Sequence, residues 1–154
     1  MAWTASKVFG AAVLGALDRT NTLDFDADTF KVALFDNTIT PDQTVSAANS
    51  AFGAGVWASG QVFDGAEWAT GGVALTSPDV TQSTSTVKWD ATDTASGSSA
   101  TLAAVFGCLV YDDTATSPAD QGICYNYFGG TQSVTDGTFT VVWSASGIFT
   151  ISVA

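Results

Sequence analysis

"CLVYDDTATSPADQGICYNYFGG" (residues 108–130) carries both cysteines, all three tyrosines and three aspartates, Asp112, Asp113 and Asp120. Two apolar runs, "GCLVY" and "ICYNYF", flank the polar loop "DDTATSPADQG". Antiparallel pairing around that loop makes a hairpin centred near residue 116, which sets Cys108 close to opposite Cys124. Directly opposed Cβ atoms lie ~4.5–5.5 Å apart, whereas a disulfide prefers ~3.8 Å. A bridge between this candidate pair would be strained, and whether the two sulfurs are joined stays open. A reactive cysteine needs a nearby cation or helix N-terminus, and no Lys or Arg occurs from residue 89 onward. The segment reads as a hairpin, with Phe128 and the tyrosines as core or interface aromatics.

Outward from the hairpin the strand pattern continues. "TFKVALFD" (29–36) places Phe30, Val32 and Leu34 on one face and Lys31, Ala33 and Phe35 on the other. Further strands are expected at 56–63, 72–77, 85–90, 101–111, 123–128, 138–144 and 148–153, about eight in all, separated by segments such as "DNTITPD", "ATDTASGSS" and "SASG". This punctuation, with no crossover helices, points to an all-β antiparallel β-sandwich, jelly-roll or Ig-like, with one N-terminal α-helix. The helix is expected over residues 5–19, where Val8, Phe9, Ala12, Val13, Ala16 and Leu17 recur at helical spacing and Thr4 or Ser6 is available as N-cap. Its glycines, Gly10 and Gly15, each cost roughly 1 kcal/mol relative to Ala, so it needs a surface to pack on. Pattern alone favours packing on its own domain over docking as an arm on a neighbour. The expected organisation is an arm and helix over 1–22 and one sandwich domain over 23–154. The segment 43–55 reads as a loop or one helical turn.

Composition excludes several function classes. Four cations against fifteen acids give a net charge of −11, which a phosphate backbone would repel, so nucleic acid is not an expected partner. No apolar run approaches the ~20 residues that span a bilayer, and "VFGAAVLGAL" makes a poor secretory signal, so no membrane partner is expected and synthesis is expected in a cytoplasm. Only 12% of residues are charged while 46% are hydrophobic, a balance that suits a surface partly covered by other subunits. The absence of histidine removes Ser-His-Asp and Cys-His nucleophile systems and His-containing zinc sites. No phosphate-binding glycine loop is present. "DFDAD" (24–28) opens like a calcium loop, but Thr29 and Phe35 stand where an EF-hand needs Gly and Glu. It reads as a solvated segment. Carboxylate chemistry at Asp112, Asp113 and Asp120 is the weakest alternative, because aspartates at turns cap the turn. No catalytic residue, metal or cofactor is expected, and the chain is read as a non-enzyme. Four tryptophans, Trp57, Trp68, Trp89 and Trp143, lie in or beside strands and read as core, which weakens a carbohydrate-binding module as an alternative. Trp3 lies outside any strand, where a large apolar side chain calls for a partner surface.

Taken in order, "MAWTASKVF", "LDFDADTFKVALFDNTITPD", "GAEWATGGVAL", "WDATDTASGSSATL", "GCLVYDDT", "ADQGICYNYFGG" and "GTFTVVWSASGIFTISV" resemble a family of virion structural proteins of tailed bacteriophages, capsid decoration (cement) or minor tail proteins. The resemblance spans nearly the whole chain and implies a structural role on the outer capsid surface, with a minor tail or fibre protein as the alternative. It implies as partners the major capsid protein lattice, sister copies in a homo-oligomer such as a trimer, or both. Joined to the pattern of the first twenty residues, it implies that Trp3, Val8, Phe9, Val13 and Leu17 form the partner-binding surface.

Overall fold

The computed structural model describes residues 3–19 and 23–153. In chain order it contains β1 (Lys7–Val8), α1 (Gly10–Asp18), β2 (Phe30–Phe35), α2 (Ala47–Ser50), a 3₁₀ turn (Gly55–Ala58), β3 (Gln61–Val62), β4 (Val73–Ala74), β5 (Thr76–Ser83), β6 (Thr86–Thr92), β7 (Thr94–Ala95), β8 (Ala100–Asp112), β9 (Gly122–Gly137), β10 (Thr140–Val141) and β11 (Phe149–Ser152). The fold is all-β and antiparallel, as the sandwich reading expects. A large sheet runs in the order β1-β9-β8-β2-β3 with β4 also on β2, a three-stranded sheet runs β11-β6-β5, and β7 pairs with β10.

The hairpin of β8 and β9 is the spine. It is longer than its apolar runs suggest, because β9 continues through Gly129 and Gly130, whose φ values of 79° and 151° absorb a break in register. Its centre also lies slightly later than 116, so Cys108 faces Asn126 and Val110 faces Cys124. The cysteines are therefore diagonal neighbours rather than opposed, and both are free thiols.

Strand β2 is buried on both faces, with Lys31 alone partly exposed. Phe30 meets Trp89 of the three-stranded sheet at 4.8 Å between ring centroids, and Trp89 in turn meets Phe149 at 5.4 Å. On the opposite face Phe35 meets Trp57 at 5.0 Å. Trp3 joins that second layer. Fully buried, it lies edge-on to Trp57 and Tyr125 and donates its indole N–H to the Asp36 carbonyl at 2.8 Å. Phe9 is equally buried, edge-on to the same two rings. Both need glycines beneath them. A Cβ at Gly107 would strike the Asn126 carbonyl and the Trp3 ring, and one at Gly122 would strike the Ser50 carbonyl and the Phe9 ring.

Other elements depart from the sequence expectations. The helix begins at Gly10 instead of near residue 5, since Lys7 and Val8 pair with Tyr125 and Cys124 of β9. Ser6 caps no helix; its hydroxyl accepts from the Tyr127 N–H at 3.0 Å. The strand expected at 56–63 is mostly the 3₁₀ turn that delivers Trp57 to the core, ended at Gly60 with φ 74°. The strand expected at 138–144 shortens to Thr140–Val141, and that at 72–77 divides into β4 and a β5 that runs to Ser83 because β6 pairs with it. The expected boundary between arm and sandwich falls at residues 20–22, outside the described residues, but β1 and Trp3 belong to the sandwich's sheet and core.

Candidate functional site

Helix α1 is apolar nearly all round, and it is mounted with its smallest residues inward. Ala12 and Gly15 are buried against the body, whereas Leu14 is 61% and Leu17 79% exposed. Small inward residues let the helix axis approach closely, and the backbone is tied down by Phe9 N–H to the Ile123 carbonyl and Gly10 N–H to the Gln43 carbonyl, at 3.0 and 3.2 Å. The consequence is a ridge of leucines facing outward.

Beside this ridge lies a cleft of about 100 Å³ between α1 and the three-stranded sheet. Val13, Ala16 and Leu17 form one wall, Val80, Val87 and Ile151 the other, and Phe25, Trp89 and Phe149 lie between them; every lining side chain is apolar. The sheet contributes through strict alternation. Val80, Trp89 and Phe149 pair across the three strands on the cleft side, while Thr81, Lys88 and Thr150 pair on the other. The apolar side continues along β11 from Ile151 in the cleft wall, 46% exposed, to Val153 beyond it, 69% exposed. Isolated exposed apolar residues are ordinary; here the exposed ones adjoin an apolar cleft.

Three of the five residues expected to bind a partner, Val8, Val13 and Leu17, line this cleft. Trp3 and Phe9 do not, and this corrects the reading of the arm: each is buried in the chain's own core, where the Trp57 and Tyr125 rings are its partners. Leu14, Val80 and Ile151 were not foreseen. Leu14 fell outside the helical spacing read from the sequence, and Val80 and Ile151 join the surface only through strand pairing.

The acidic segments serve the turns. Asp24 Oδ1 accepts from the Asp26 and Ala27 amides, Asp28 Oδ2 accepts from the Asp24 amide at 2.7 Å, and Asp26 Oδ1 accepts from the Val80 amide at 2.9 Å. Asp112 is buried, its Oδ1 capping the amides of Thr114 and Ala115 at 2.8 and 3.1 Å. Burial raises its carboxyl to about 6, and the nearby charge of Asp28 adds to the rise. Asp113 pairs with Lys31 at 2.8 Å. Burial and Asp113 raise Asp120. Among the described residues no three His, Cys, Asp or Glu side chains converge as a metal site, and no helix there is long and apolar enough to cross a membrane.

Burial pushes the Cys108 thiol up to about 12 and Cys124 higher still, so neither is a nucleophile near neutral pH. All five tryptophans are buried, Trp143 being the most exposed at 9%, and none offers an open ring face for stacking on a sugar.

No family model, curated protein or solved structure matches this chain.

Proposed function

We propose that this chain is a structural protein of a tailed-bacteriophage virion, a decoration (cement) protein that adheres to the outer face of the capsid shell through the leucine ridge of α1 and the adjoining cleft. One observation carries the reading: α1 buries Ala12 and Gly15 and turns Leu14 and Leu17 outward beside an all-apolar cleft. A helix that only stabilised its own domain would bury its largest apolar residues. The quoted segments that resemble virion proteins supply the class of assembly, and the net charge of −11 suits a position away from packaged DNA.

The mechanism is adhesion. Fully burying a leucine is worth about 1.5–3 kcal/mol, and a contact of a few such side chains per copy gains strength when many copies occupy a lattice. Deleting residues 1–20 is a poor test, since it would remove Trp3 and Phe9 from the core. The direct test is to locate and count the protein in intact particles. A capsid decoration role predicts hundreds of copies over the shell. A few copies at one vertex would assign the protein to the tail instead, and absence from the particle would end the virion reading.

A further inference from the structure

The described sheets end in several edges, most of them short, broken or shielded. The outer edge of β9 past Tyr125 is broken at Gly129 and Gly130 and carries Asp136, and that of β8 before Gly107 is broken at Ala104 (φ 57°) with its Thr101 amide taken by the Asp64 carboxylate. Strands β1, β3 and β4 have two residues each, as do β7 and β10 of the small pair. Strand β5 carries Pro78 and Asp79, and its Val80 amide is already taken by the Asp26 carboxylate. These are the usual devices that keep sheet edges from pairing. Strand β11, four residues long, carries neither proline nor charge. Its only strand neighbour among the described residues is β6, and the sequence from 137 to 154 contains no Asp, Glu, Lys, Arg or Pro.

The direction of the open backbone groups follows from register. Ile151 faces Val87, and Val153 donates its N–H to the Ser85 carbonyl at 2.8 Å in the same register. Hydrogen-bonded and non-hydrogen-bonded pairs alternate along an antiparallel ladder. The backbone groups of Ile151 and Val153 therefore turn toward β6, and those of Thr150 and Ser152 turn to the open side.

We infer that β11 is a self-pairing edge, and that a second copy of this chain adds its own β11 antiparallel to it about a two-fold axis at Ile151. Thr150 of each copy then exchanges backbone hydrogen bonds with Ser152 of the other, and the two Ile151 side chains meet on the cleft side. The two three-stranded sheets become one sheet of six. The occupant is a second copy on grounds of charge. Two molecules of net charge −11 repel over most of their surfaces, but no side chain of the 137–154 segment is charged, and its short apolar–hydroxyl alternation is complementary to itself. This pair takes the place of the trimer given above as one homo-oligomer that the resemblance implies. Because the axis is perpendicular to the sheet, both α1 ridges emerge on one side, and on the proposed virion role, on which this last point alone rests, the dimer grips the shell bivalently.

The test is sedimentation equilibrium of the full chain over a wide concentration range, with Thr150→Pro and Ile151→Lys. Proline at 150 removes only an outward N–H, so the fold should persist by circular dichroism while pairing is lost. Two lysines meeting on the axis should weaken the dimer roughly tenfold or more. A wild type that stays monomeric, or a dimer indifferent to both variants but broken by Leu17→Asp, overturns the inference. Should both variants unfold, hydrogen exchange on the wild type decides: Thr150 and Ser152 amides protected only at concentrations where the dimer forms support it, and free exchange there overturns it. Monomeric protein that still fills the particle would reject the strand pairing and leave the virion role standing.

Discussion

Replacing Trp3 with alanine separates a core residue from a docking arm. Trp3 is fully buried, touches the Trp57 and Tyr125 rings edge-on at 5.8 and 6.0 Å, and donates to the Asp36 carbonyl. Truncating a buried tryptophan costs about 3–5 kcal/mol, of which the lost hydrogen bond accounts for roughly 1 kcal/mol. A domain of this kind has about 5–15 kcal/mol of stability in all, so the loss is roughly a fifth of it or more. With a urea m-value of about 1–3 kcal/mol per M, the midpoint should fall by roughly 2 M. Urea titration followed by far-UV circular dichroism measures it, with Leu17→Ala as control. Leu17 is 79% exposed, and such surface changes stay within about 0.5 kcal/mol. If Trp3→Ala and Leu17→Ala shift the midpoint equally little, Trp3 is not core and the account of the N-terminal segment is wrong.

Other consequences are as direct. Gly107→Ala should destabilise by more than about 2 kcal/mol, because the new methyl meets backbone on one side and the Trp3 ring on the other; denaturant titration reads it, and a neutral result would contradict the packing. Asp112 is ordinarily deprotonated above ~4 in an unfolded chain but holds its proton to about 6 when folded. The folded state thus carries an extra proton between those values, and this group's contribution to stability falls as pH rises from 4 through 6. Asp112→Asn keeps the Oδ1 cap on the Thr114 and Ala115 amides and should flatten that slope by on the order of 2 kcal/mol, seen by comparing urea midpoints of variant and wild type at pH 4.5 and 7. Asp28, Asp113, Asp120 and Lys31 share the site or its border and are unchanged in that comparison. Cys108 and Cys124, both buried, should resist a disulfide reagent at pH 8 in native protein and react fully in urea.

The sequence carried the strand pairing far better than it carried the surface. The two faces of β2 follow from the alternation of residues 30–35, and the hairpin follows from the runs that flank its loop. Trp3 was misplaced because its burial depends on Gly107, Trp57 and Tyr125, residues distant in the chain, and the local pattern shows only that no strand contains it. The cysteine register slipped because moving the hairpin centre by one residue moves each partner by two, from Cys124 to Asn126 opposite Cys108. The ridge on α1 was half legible. Its apolar residues were evident, but in a helix apolar nearly all round the inward side is chosen by packing, and close approach chose Ala12 and Gly15 over the leucines. The second wall of the cleft comes from β5, β6 and β11, which meet only through tertiary pairing.

The adhesive role itself is tested most directly by the occupancy of virions assembled with a Leu14→Asp, Leu17→Asp double variant. Both residues are largely exposed in the free chain, so the variant should fold with unchanged thermal stability. Covering the exposed part of each leucine is worth about 1–2 kcal/mol, and losing both predicts roughly a hundredfold weaker attachment per copy. Particles carrying little or none of the folded variant would agree with the account; particles carrying it at wild-type copy number would contradict it.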